Sequence, residues 1–414
     1  MKIKSLKALQ IINSRAVPTI KTIVFLEDGT KGEASVPQGA STGKLEAKEL
    51  RDNDKSQFLG LSVGENIKFI ESEINNHLRG VSINDQEKID RILIELDGTP
   101  NKGKLGANTL LSVSLACARA GANSQRMELF EYIGKMCKNK SFKMPIPLFN
   151  IINGGKHSEN NLEIQEFLVI PSKTSSLFSG IKAGVEIYLT LKEILKERQL
   201  NTNLGDEGGF APALENNKEA LVLIKEAIEK SNNSKNVVLG LDVASSSFFQ
   251  KDSNQYIIEN IPLSSEQLLS YLKDLTKEFG IKSIEDPLAD EDIKNWPKAK
   301  KILENVQIVG DDLFVTNKEI VEERHNLATA IIIKPNQIGT LTETLDTIKT
   351  AKSHNLKIII SHRSGETEDD FIADLAVGIQ ADMIKSGSVA RSERLSKYNR
   401  LLEIEKFYNF PYQK

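Results

Sequence analysis

The chain has 414 residues, with 54 Lys or Arg against 57 Asp or Glu, so its formal net charge is −3. This balance gives no excess of basic residues that would bind nucleic acid. The sequence has no run of about 18 apolar residues, so it does not predict a membrane span. Met1–Ile12 carries three lysines and lacks the apolar core of a secretory signal, and the chain has only two cysteines. We therefore expect a soluble cytoplasmic protein that requires no nucleic acid.

The first residues predict a β-hairpin. Thr19–Leu26 and Lys31–Val36 have the composition of strands, and Asp28–Gly29 lies between them as a turn. Because helical patterns follow this hairpin, residues 1–140 predict an α+β unit.

Three stretches of this unit predict helices. Apolar residues recur at three- and four-residue steps from Val63 to Leu78, ahead of Gly80. Asn84–Glu87 has the sequence of a capping box, and Asn108–Ala122 is small or apolar almost all round, which is typical of a buried helix. Two prolines between residues 141 and 147 then interrupt the pattern, which places the domain boundary there.

From residue 237 onward, short apolar runs end one after another in polar or charged residues. From Glu285 to Lys385 the ends of these runs lie 23 to 27 residues apart, the length of a βα unit. Helical patterns fill the gaps at Thr316–His325, Thr340–Asn355 and Glu366–Gln380, and the first two begin as Thr-x-x-Glu capping boxes. The spacing predicts an α/β fold with a (β/α)8-type barrel over residues 141–414, in which the C-terminal strand ends converge on one face.

Carboxylates end three of the predicted strands: Asp242, Glu285 and Asp311. Their oxygens suit a hard cation such as Mg²⁺ and suit zinc poorly, because no His/Cys cluster accompanies them. Taken singly, an acid after a strand is more often a helix cap or turn residue. Three of them on one barrel face would repel one another without a cation, so together they favour a metal site.

Lysines end two further strands. Ile331–Ile333 runs directly into Lys334, and Lys385 ends a later run. An ammonium group at the mouth of a buried strand loses hydration, so it requires either a nearby anion or a function that a lowered pKa serves, such as general-base catalysis. Both alternatives stay open here, since the two lysines could be salt-bridge partners of the three acids.

Polar loops supply further candidates. Ser361–Ser364 offers a guanidinium fork, an imidazole and two hydroxyls, which suit a phosphate or carboxylate group. His157 lies in another polar loop, and Gly205–Gly209 holds two acids between glycines. The last segment and Gly39–Gly43 are common turns when taken alone; if functional, they would serve as a carboxyl-bearing loop and a hinged lid.

At these residues the chain resembles the enolase family, from Ser14–Arg15 to about Ile404. The stretches that carry the resemblance are Gly39–Gly43, Asn153–His157, Gln165–Phe167, Gly205–Gly209, Ser283–Asp286, Asp311–Asn317, Asn336–Gly339, Ser361–Asp369 and Ala390–Arg394. The resemblance implies a glycolytic lyase that reversibly dehydrates 2-phospho-D-glycerate to phosphoenolpyruvate. It also implies an N-terminal α+β cap domain, residues 1–140, on a β/α barrel, residues 141–414, whose first units are irregular.

Position by position, the resemblance implies two Mg²⁺ ions per site, the second arriving with the substrate. The first ion would be bound by Asp242, Glu285 and Asp311, and Ser41 would help to bind the second. Lys334 would be the general base at C2, and Glu207 the general acid that protonates the departing C3 hydroxyl. The residues around the substrate would be His157, Gln165, Glu166, His362, Arg363, Ser364 and Lys385. A homodimer or a ring of dimers is the implied assembly.

Several positions depart from the family pattern, none of them implied as catalytic: Asn13, Ala16, Val17, Gln38, Ser247, Pro335 and Glu403. Two rival hypotheses remain. A superfamily member that acts on a sugar acid or a muconate-type substrate would lack the Glu207 loop and the Ser-His-Arg-Ser cluster. A catalytically idle scaffold would be expected to have lost a metal ligand, the base or the acid.

Overall fold

The computed structural model of the chain describes residues 1–39, 43 and 45–412, so Ser41 lies outside the described residues. The chain begins with an antiparallel sheet of three strands, β1 (Ile3–Ile12), β2 (Pro18–Leu26) and β3 (Lys31–Ser35). Strands β2 and β3 confirm the predicted hairpin. Strand β1 was not predicted, because its lysines and partly exposed residues break the apolar pattern of a strand.

Helices cover this sheet, and their bounds are α1 (Gly64–Phe69), α2 (Asn75–Leu78), α3 (Gln86–Asp97), α4 (Ala107–Ser124) and α5 (Leu129–Met136). A π-helical turn at Ile70–Ile74 joins α1 to α2. As predicted, α4 is buried on most sides. It packs so closely on β3 that a Cβ atom at Gly32 would come within 2.1 Å of the backbone nitrogen of Ala120. Only glycine fits at that contact.

The predicted position of the residue that caps α3, Asn84, is wrong by one residue. Asp85 caps α3, and its carboxylate accepts a hydrogen bond of 3.0 Å from the backbone N–H of Lys88. Asp and Asn are about equally good caps, so the order of the two residues in the sequence does not identify the capping one.

Eight strands close a barrel. In their spatial order around the barrel they are β4 (Ile146–Asn153), β5 (Glu166–Ile170), β6 (Val238–Asp242), β10 (Ile281–Glu285), β11 (Gln307–Gly310), β12 (Ala330–Ile333), β13 (Lys357–Ser361) and β14 (Met383–Lys385). Strand β5 is antiparallel to both of its neighbours, and the other pairs are parallel. This architecture confirms the predicted α/β barrel with irregular first units.

The remaining elements connect the barrel strands. The helices are α6 (Leu177–Glu197), α7 (Asn217–Lys230), α8 (Ser265–Phe279), α9 (Trp296–Ile302), α10 (Lys318–Arg324), α11 (Leu341–Ser353), α12 (Phe371–Gly378) and α13 (Ser392–Tyr408). A small separate sheet consists of β7 (Phe249–Gln250), β8 (Gln255–Ile258) and β9 (Ile261–Leu263).

Two predicted helix starts differ from the structure. Asn317, not Thr316, caps α10, because the Thr316 hydroxyl donates instead to the side chain of Gln337. The stretch predicted as helical from Glu366 begins its helix only at Phe371. Before it, the Glu366 carboxylate accepts hydrogen bonds from nearby backbone N–H groups and holds the segment as a loop. The cap predicted at Thr340 is confirmed.

Partly buried polar contacts join the first five helices and their sheet to the barrel. Arg119 on α4 forms ion pairs with Asp369 at 2.7 Å and Asp370 at 2.6 Å. The backbone N–H of Ser35 donates to the same Asp369 carboxylate at 2.8 Å. These contacts hold the loop between β13 and α12 against the N-terminal sheet.

The barrel has its own apolar interior, contributed by Ile146, Leu148, Leu168, Ile170, Val309, Ala330, Ile332 and Ile359. Tyr412, near the end of the chain, packs against this cluster, and its hydroxyl donates to the carbonyl oxygen of Pro171 at 3.2 Å. The backbone N–H of Met144 also donates to the carbonyl oxygen of Pro411. The segment after α13 therefore covers the barrel end opposite the C-terminal strand ends.

Within the described ranges, none of the helices combines the length and the apolar character that crossing a bilayer requires.

Replacing Tyr412 by Ala should lower the free energy of unfolding by about 1–3 kcal/mol, because it removes ring packing and a hydrogen bond. Urea denaturation measures this change. The matched control is Phe407→Ala, since Phe407 is 76% exposed and its loss should change the free energy by no more than about 0.5 kcal/mol. Equal effects of the two substitutions would contradict a packing role for Tyr412.

Candidate active site

A cavity of about 80 Å³ lies at the C-terminal ends of the barrel strands. Asp242, Glu285 and Lys385 are the last residues of their strands and face one another across this end. Glu166 joins them although it is the first residue of its strand. Because β5 runs antiparallel, its first residue pairs with Asp242 at the same rim.

The ammonium group of Lys385 lies among three buried carboxylates. Its Nζ atom is 2.8 Å from Glu285, 3.1 Å from Asp242 and 3.2 Å from Glu166. Burial opposes charge on Lys385, but the three acids raise its pKa well above the usual value. Burial and the charge of Asp242 likewise raise the pKa of Glu285 well above its usual range. The cluster therefore has more negative charge than one lysine neutralises.

Lys334 forms the second ion pair of the cavity, with Asp311. Burial alone would lower the pKa of Lys334, but the charge of Asp311 raises it above the usual value. The backbone N–H of Lys334 donates to the Thr316 hydroxyl, and Gln337 donates to the other Asp311 oxygen at 3.1 Å. Both members of the pair are thus held in position by neutral hydrogen bonds.

Glu207 enters the cavity from the Gly205–Gly209 loop and is 2% exposed. Asn150 donates to its Oε2 atom at 3.1 Å, and His362 Nε2 is 3.3 Å from the same atom. His157 Nδ1 lies 3.6 Å from Oε1. Burial would raise the pKa of Glu207, but the two imidazoles lower it well below the usual value.

Arg363 lies beside these groups and pairs with a carboxylate from the N-terminal unit. Its Nη1 atom is 2.9 Å from Glu46, and it also donates to Asn336 at 3.3 Å. Burial would lower the pKa of Arg363, but Glu46 raises it, so the guanidinium stays charged. The cavity thus contains a cationic fork next to the acids.

The described residues include two groups of three potential metal ligands whose atoms lie within 4.8 Å of one another. One is Asp286, Asp311 and Asp312, and the other is His157, Glu166 and Glu207. Of the three predicted ligands of the first Mg²⁺, only Asp311 belongs to either group. Asp242 and Glu285 hold the Lys385 ammonium group instead. Since these buried all-oxygen donors already bind a cationic group, they fit a hard divalent cation.

The predicted site residues largely meet in this cavity. Those that line it are His157, Gln165, Glu166, Glu207, Asp242, Asp311, Lys334, His362, Arg363, Ser364 and Lys385. Glu285 reaches it through Lys385. The alternative in which the lysines are ion-pair partners of the acids agrees with these contacts. Among the described residues, Asp242 accepts from the backbone N–H of Ala244, as a turn residue does, and neither Glu285 nor Asp311 accepts from a following backbone N–H. The cap-or-turn alternative therefore agrees with Asp242 and does not explain the other two acids.

Sequence reasoning missed four residues of the site: Glu46, Asn150, Gln337 and Arg394. Asn150 had a detectable signal, because it is a polar residue in the middle of the mostly apolar and fully buried strand β4. Arg394 lies in the last motif of the resemblance, but its contacts with His362 and three backbone carbonyls follow only from the packing of α13.

Comparisons with known proteins match the chain over nearly its whole length. A family model described as "Enolase, N-terminal domain" matches residues 3–133, and one described as "Enolase, C-terminal TIM barrel domain" matches residues 141–409. A protein of Ehrlichia canis named "Enolase" is 47% identical over 409 residues, which are 98% of this chain and 96% of that protein. Another of the same name from Helicobacter pylori strain J99 is 47% identical over 97% of this chain and 95% of its own length.

A pH dependence of stability follows from His362. Burial lowers its pKa from 6.5 to about 4, so between these values the unfolded chain binds a proton that the folded site excludes. The free energy of unfolding should therefore fall as the pH decreases from 6.5 towards 4, by up to about 1.4 kcal/mol per pH unit from this group.

Replacing His362 by Gln should flatten that slope, as measured by urea denaturation at several pH values. His77→Gln is the control, because His77 is exposed on α2 and should leave the slope unchanged. A slope that is the same in all three proteins would rule out His362 as its source.

Proposed function

The chain belongs to the enolase family and is a phosphopyruvate hydratase, a hydro-lyase of glycolysis, and from this premise we propose how its own residues perform the reaction. The substrate is 2-phospho-D-glycerate and the products are phosphoenolpyruvate and water, with Mg²⁺ as the cofactor. The observation that carries this proposal is that one cavity contains the Lys334 amine, the Glu207 carboxyl and a cluster of buried acids. These are the groups that removing a proton beside a carboxylate and expelling a hydroxyl require.

Asp242, Glu285 and Asp311 would hold the first Mg²⁺, and Ser41 would help to hold a second that arrives with the substrate. When bound, the ions would neutralise the negative charge that develops on the substrate carboxylate as C2 loses its proton. The excess of buried negative charge around Lys385 supports this assignment.

Lys334 is the proposed base at C2. It must lose its own proton first, and in the ion pair with Asp311 its pKa is too high for that. The charges of Arg363 and Lys385 act in the opposite direction and lower the pKa of Lys334. Once Asp311 is engaged by another cation, these two neighbours and burial would favour the neutral amine that accepts the proton.

Glu207 is the proposed acid at the C3 hydroxyl. It must be protonated in order to donate, although the two imidazoles lower its pKa. A substrate that carries both a phosphate and a carboxylate group brings negative charge into the cavity, and such charge raises the pKa of a nearby carboxyl group. The negative charge of the substrate would therefore help to protonate Glu207.

Arg363 and Ser364 are the proposed phosphate contacts. A guanidinium group binds a phosphate through two parallel hydrogen bonds, and Arg363 already binds the Glu46 carboxylate through both terminal nitrogens, at 2.9 and 3.4 Å. The phosphate would take the place of Glu46 at this fork. His157, Gln165, Glu166, His362 and Lys385 are the other proposed substrate neighbours.

We also propose a domain boundary between residues 140 and 141, with the N-terminal α+β domain as a cap on the barrel. The free thiols of Cys117 and Cys137 support a cytoplasmic location, since neither forms a disulfide bond. A homodimer or a ring of dimers is the proposed assembly.

Replacing Asp242, Glu285 or Asp311 by Ala should each lower kcat/KM by at least about a thousandfold, or 4 kcal/mol, while the fold persists. Calorimetry with Mg²⁺ alone should show weakened binding, and circular dichroism should be unchanged. The control is Asp252→Ala, which changes an exposed turn residue. Full Mg²⁺-dependent activity in any of the three variants would refute the metal assignment.

The acid and the base can be separated by isotope exchange. Glu207→Gln keeps the shape of the side chain but removes its acidic proton, so it should still exchange the C2 hydrogen with deuterated water while dehydrating the substrate very slowly. Lys334→Ala should lose both activities, each by several kcal/mol of transition-state stabilisation at about 1.36 kcal/mol per tenfold in rate.

Mass spectrometry of the recovered substrate measures this exchange. Lys349→Ala, on the outer helix α11, is the control for Lys334→Ala and should retain both activities. If Lys334→Ala incorporates deuterium at C2 and Glu207→Gln does not, the two roles are reversed.

A further inference from the structure

Arg394, in the first turn of α13, is fully buried and joins two loops of the active site. Its Nη1 atom donates to His362 Nδ1 at 2.6 Å and to the carbonyl oxygen of Arg363 at 2.6 Å. Its Nη2 atom donates to the carbonyl oxygens of Ser364 at 2.6 Å and Asp206 at 3.0 Å. One guanidinium group therefore connects the loop after β13 to the loop that carries the proposed acid.

The guanidinium group of Arg394 forms no hydrogen bond to a carboxylate among the described residues. The nearest carboxylate in an ion pair is that of Glu393, 3.6 Å from Nε, and this Nε–H has no hydrogen-bond partner. By contrast, Arg119 and Arg400 each donate directly to an aspartate. A buried charge without a carboxylate partner is costly. An arginine that served only to stabilise the fold would therefore be expected to have such a partner.

The backbone also accommodates this side chain. Gly387 has φ +70°, and a Cβ atom there would lie 2.9 Å from Arg394 Cδ. Any other residue would strain the backbone and displace the arginine.

The contact with His362 determines where the imidazole carries its hydrogen. A guanidinium group only donates, so Nδ1 must accept and the hydrogen of the neutral ring is on Nε2. Nε2 lies 3.3 Å from Glu207 Oε2, so the hydrogen on Nε2 is within hydrogen-bonding distance of that oxygen. Asn150 donates to the same oxygen at 3.1 Å. Because two donor groups face Oε2, the hydrogen of a protonated Glu207 is on Oε1.

We propose that Arg394 is a positioning residue that fixes His362 as the Nε2–H tautomer, so that Glu207 Oε2 is kept as an acceptor and Oε1 carries the proton for the substrate. The part that concerns Oε1 rests on the proposed role of Glu207 as general acid. The pKa of His362, lowered to about 4 by burial, agrees with a neutral ring.

The first test uses the unmutated chain. The protein has five histidines, so nitrogen-15 NMR of ring-labelled protein can resolve them, and His362→Gln assigns the signal of interest. Between pH 6 and 8, with and without Mg²⁺, His362 should show an unprotonated Nδ1 and a protonated Nε2. A hydrogen on Nδ1, or a doubly protonated ring, would overturn the proposal.

The second test is a double-mutant cycle between Arg394→Lys and His362→Gln. A glutamine amide can donate to Glu207 without any tautomer to control. Arg394→Lys should therefore lower kcat by about tenfold or more in the unmutated background and by much less in the His362→Gln background. If Arg394→Lys lowers kcat by the same factor in both backgrounds, its role is merely structural and the proposal is overturned. The control is Arg400→Lys, because Arg400 lies on the same helix but pairs with Asp374. It should change kcat by the same factor in both backgrounds.

The two proposals fail in different ways. A hydrogen on His362 Nδ1 would overturn the role of Arg394 whatever Glu207 does. Reversed roles of Lys334 and Glu207 in the isotope-exchange experiment would overturn the assignment of the proton to Oε1, even if the NMR signals of His362 were as expected. If Arg394→Lys does not fold, the NMR measurement on the unmutated chain decides.

Discussion

The constraint on which this structure depends is the cost of burying charge at the mouth of a barrel. Glu166, Asp242 and Glu285 are all at most 4% exposed, and their repulsion is offset by the single ammonium group of Lys385. Removing Lys385 would leave these buried carboxylates without their cation, and such a loss typically costs about 3–5 kcal/mol. The carboxylates of the site therefore tolerate replacement of the ammonium group by another cation more readily than its removal.

The fold meets this constraint through strand direction and through support from outside the barrel. Reversing β5 brings Glu166 to the same rim as the ends of the parallel strands. The N-terminal sheet and α4 hold the loop after β13 through the bonds of Arg119 and Ser35 to Asp369. The loop after β13, which carries Arg363, is thus held in place before any ligand enters, and such preorganisation lowers the reorganisation that a reaction requires.

Neutral donors complete the arrangement by orienting the charged groups. Thr316 and Gln337 hold the Lys334–Asp311 pair. Asn150 donates to one oxygen of Glu207, and His362 Nε2 lies 3.3 Å from the same oxygen. Such groups add no net charge, so they orient the proposed base and the proposed acid without neutralising either. The proposed role of Glu207 likewise favours a neutral His362, because an imidazolium would keep Glu207 ionised.

The sequence by itself determined the βα units from residue 237 onward and the charged residues at their strand ends, because alternation of apolar runs with capped helices is a local property of the chain. Gln165 and Glu166 followed only from the resemblance to the enolase family. Only the tertiary structure decided which of two adjacent residues caps a helix, as at Asp85 and Asn317, and that Thr316 serves the site instead. It also decided that Asn150 and Arg394 belong to the site. The physical reason is that a hydrogen bond depends on distance and direction between atoms that packing brings together, and these are not properties of any one stretch of sequence.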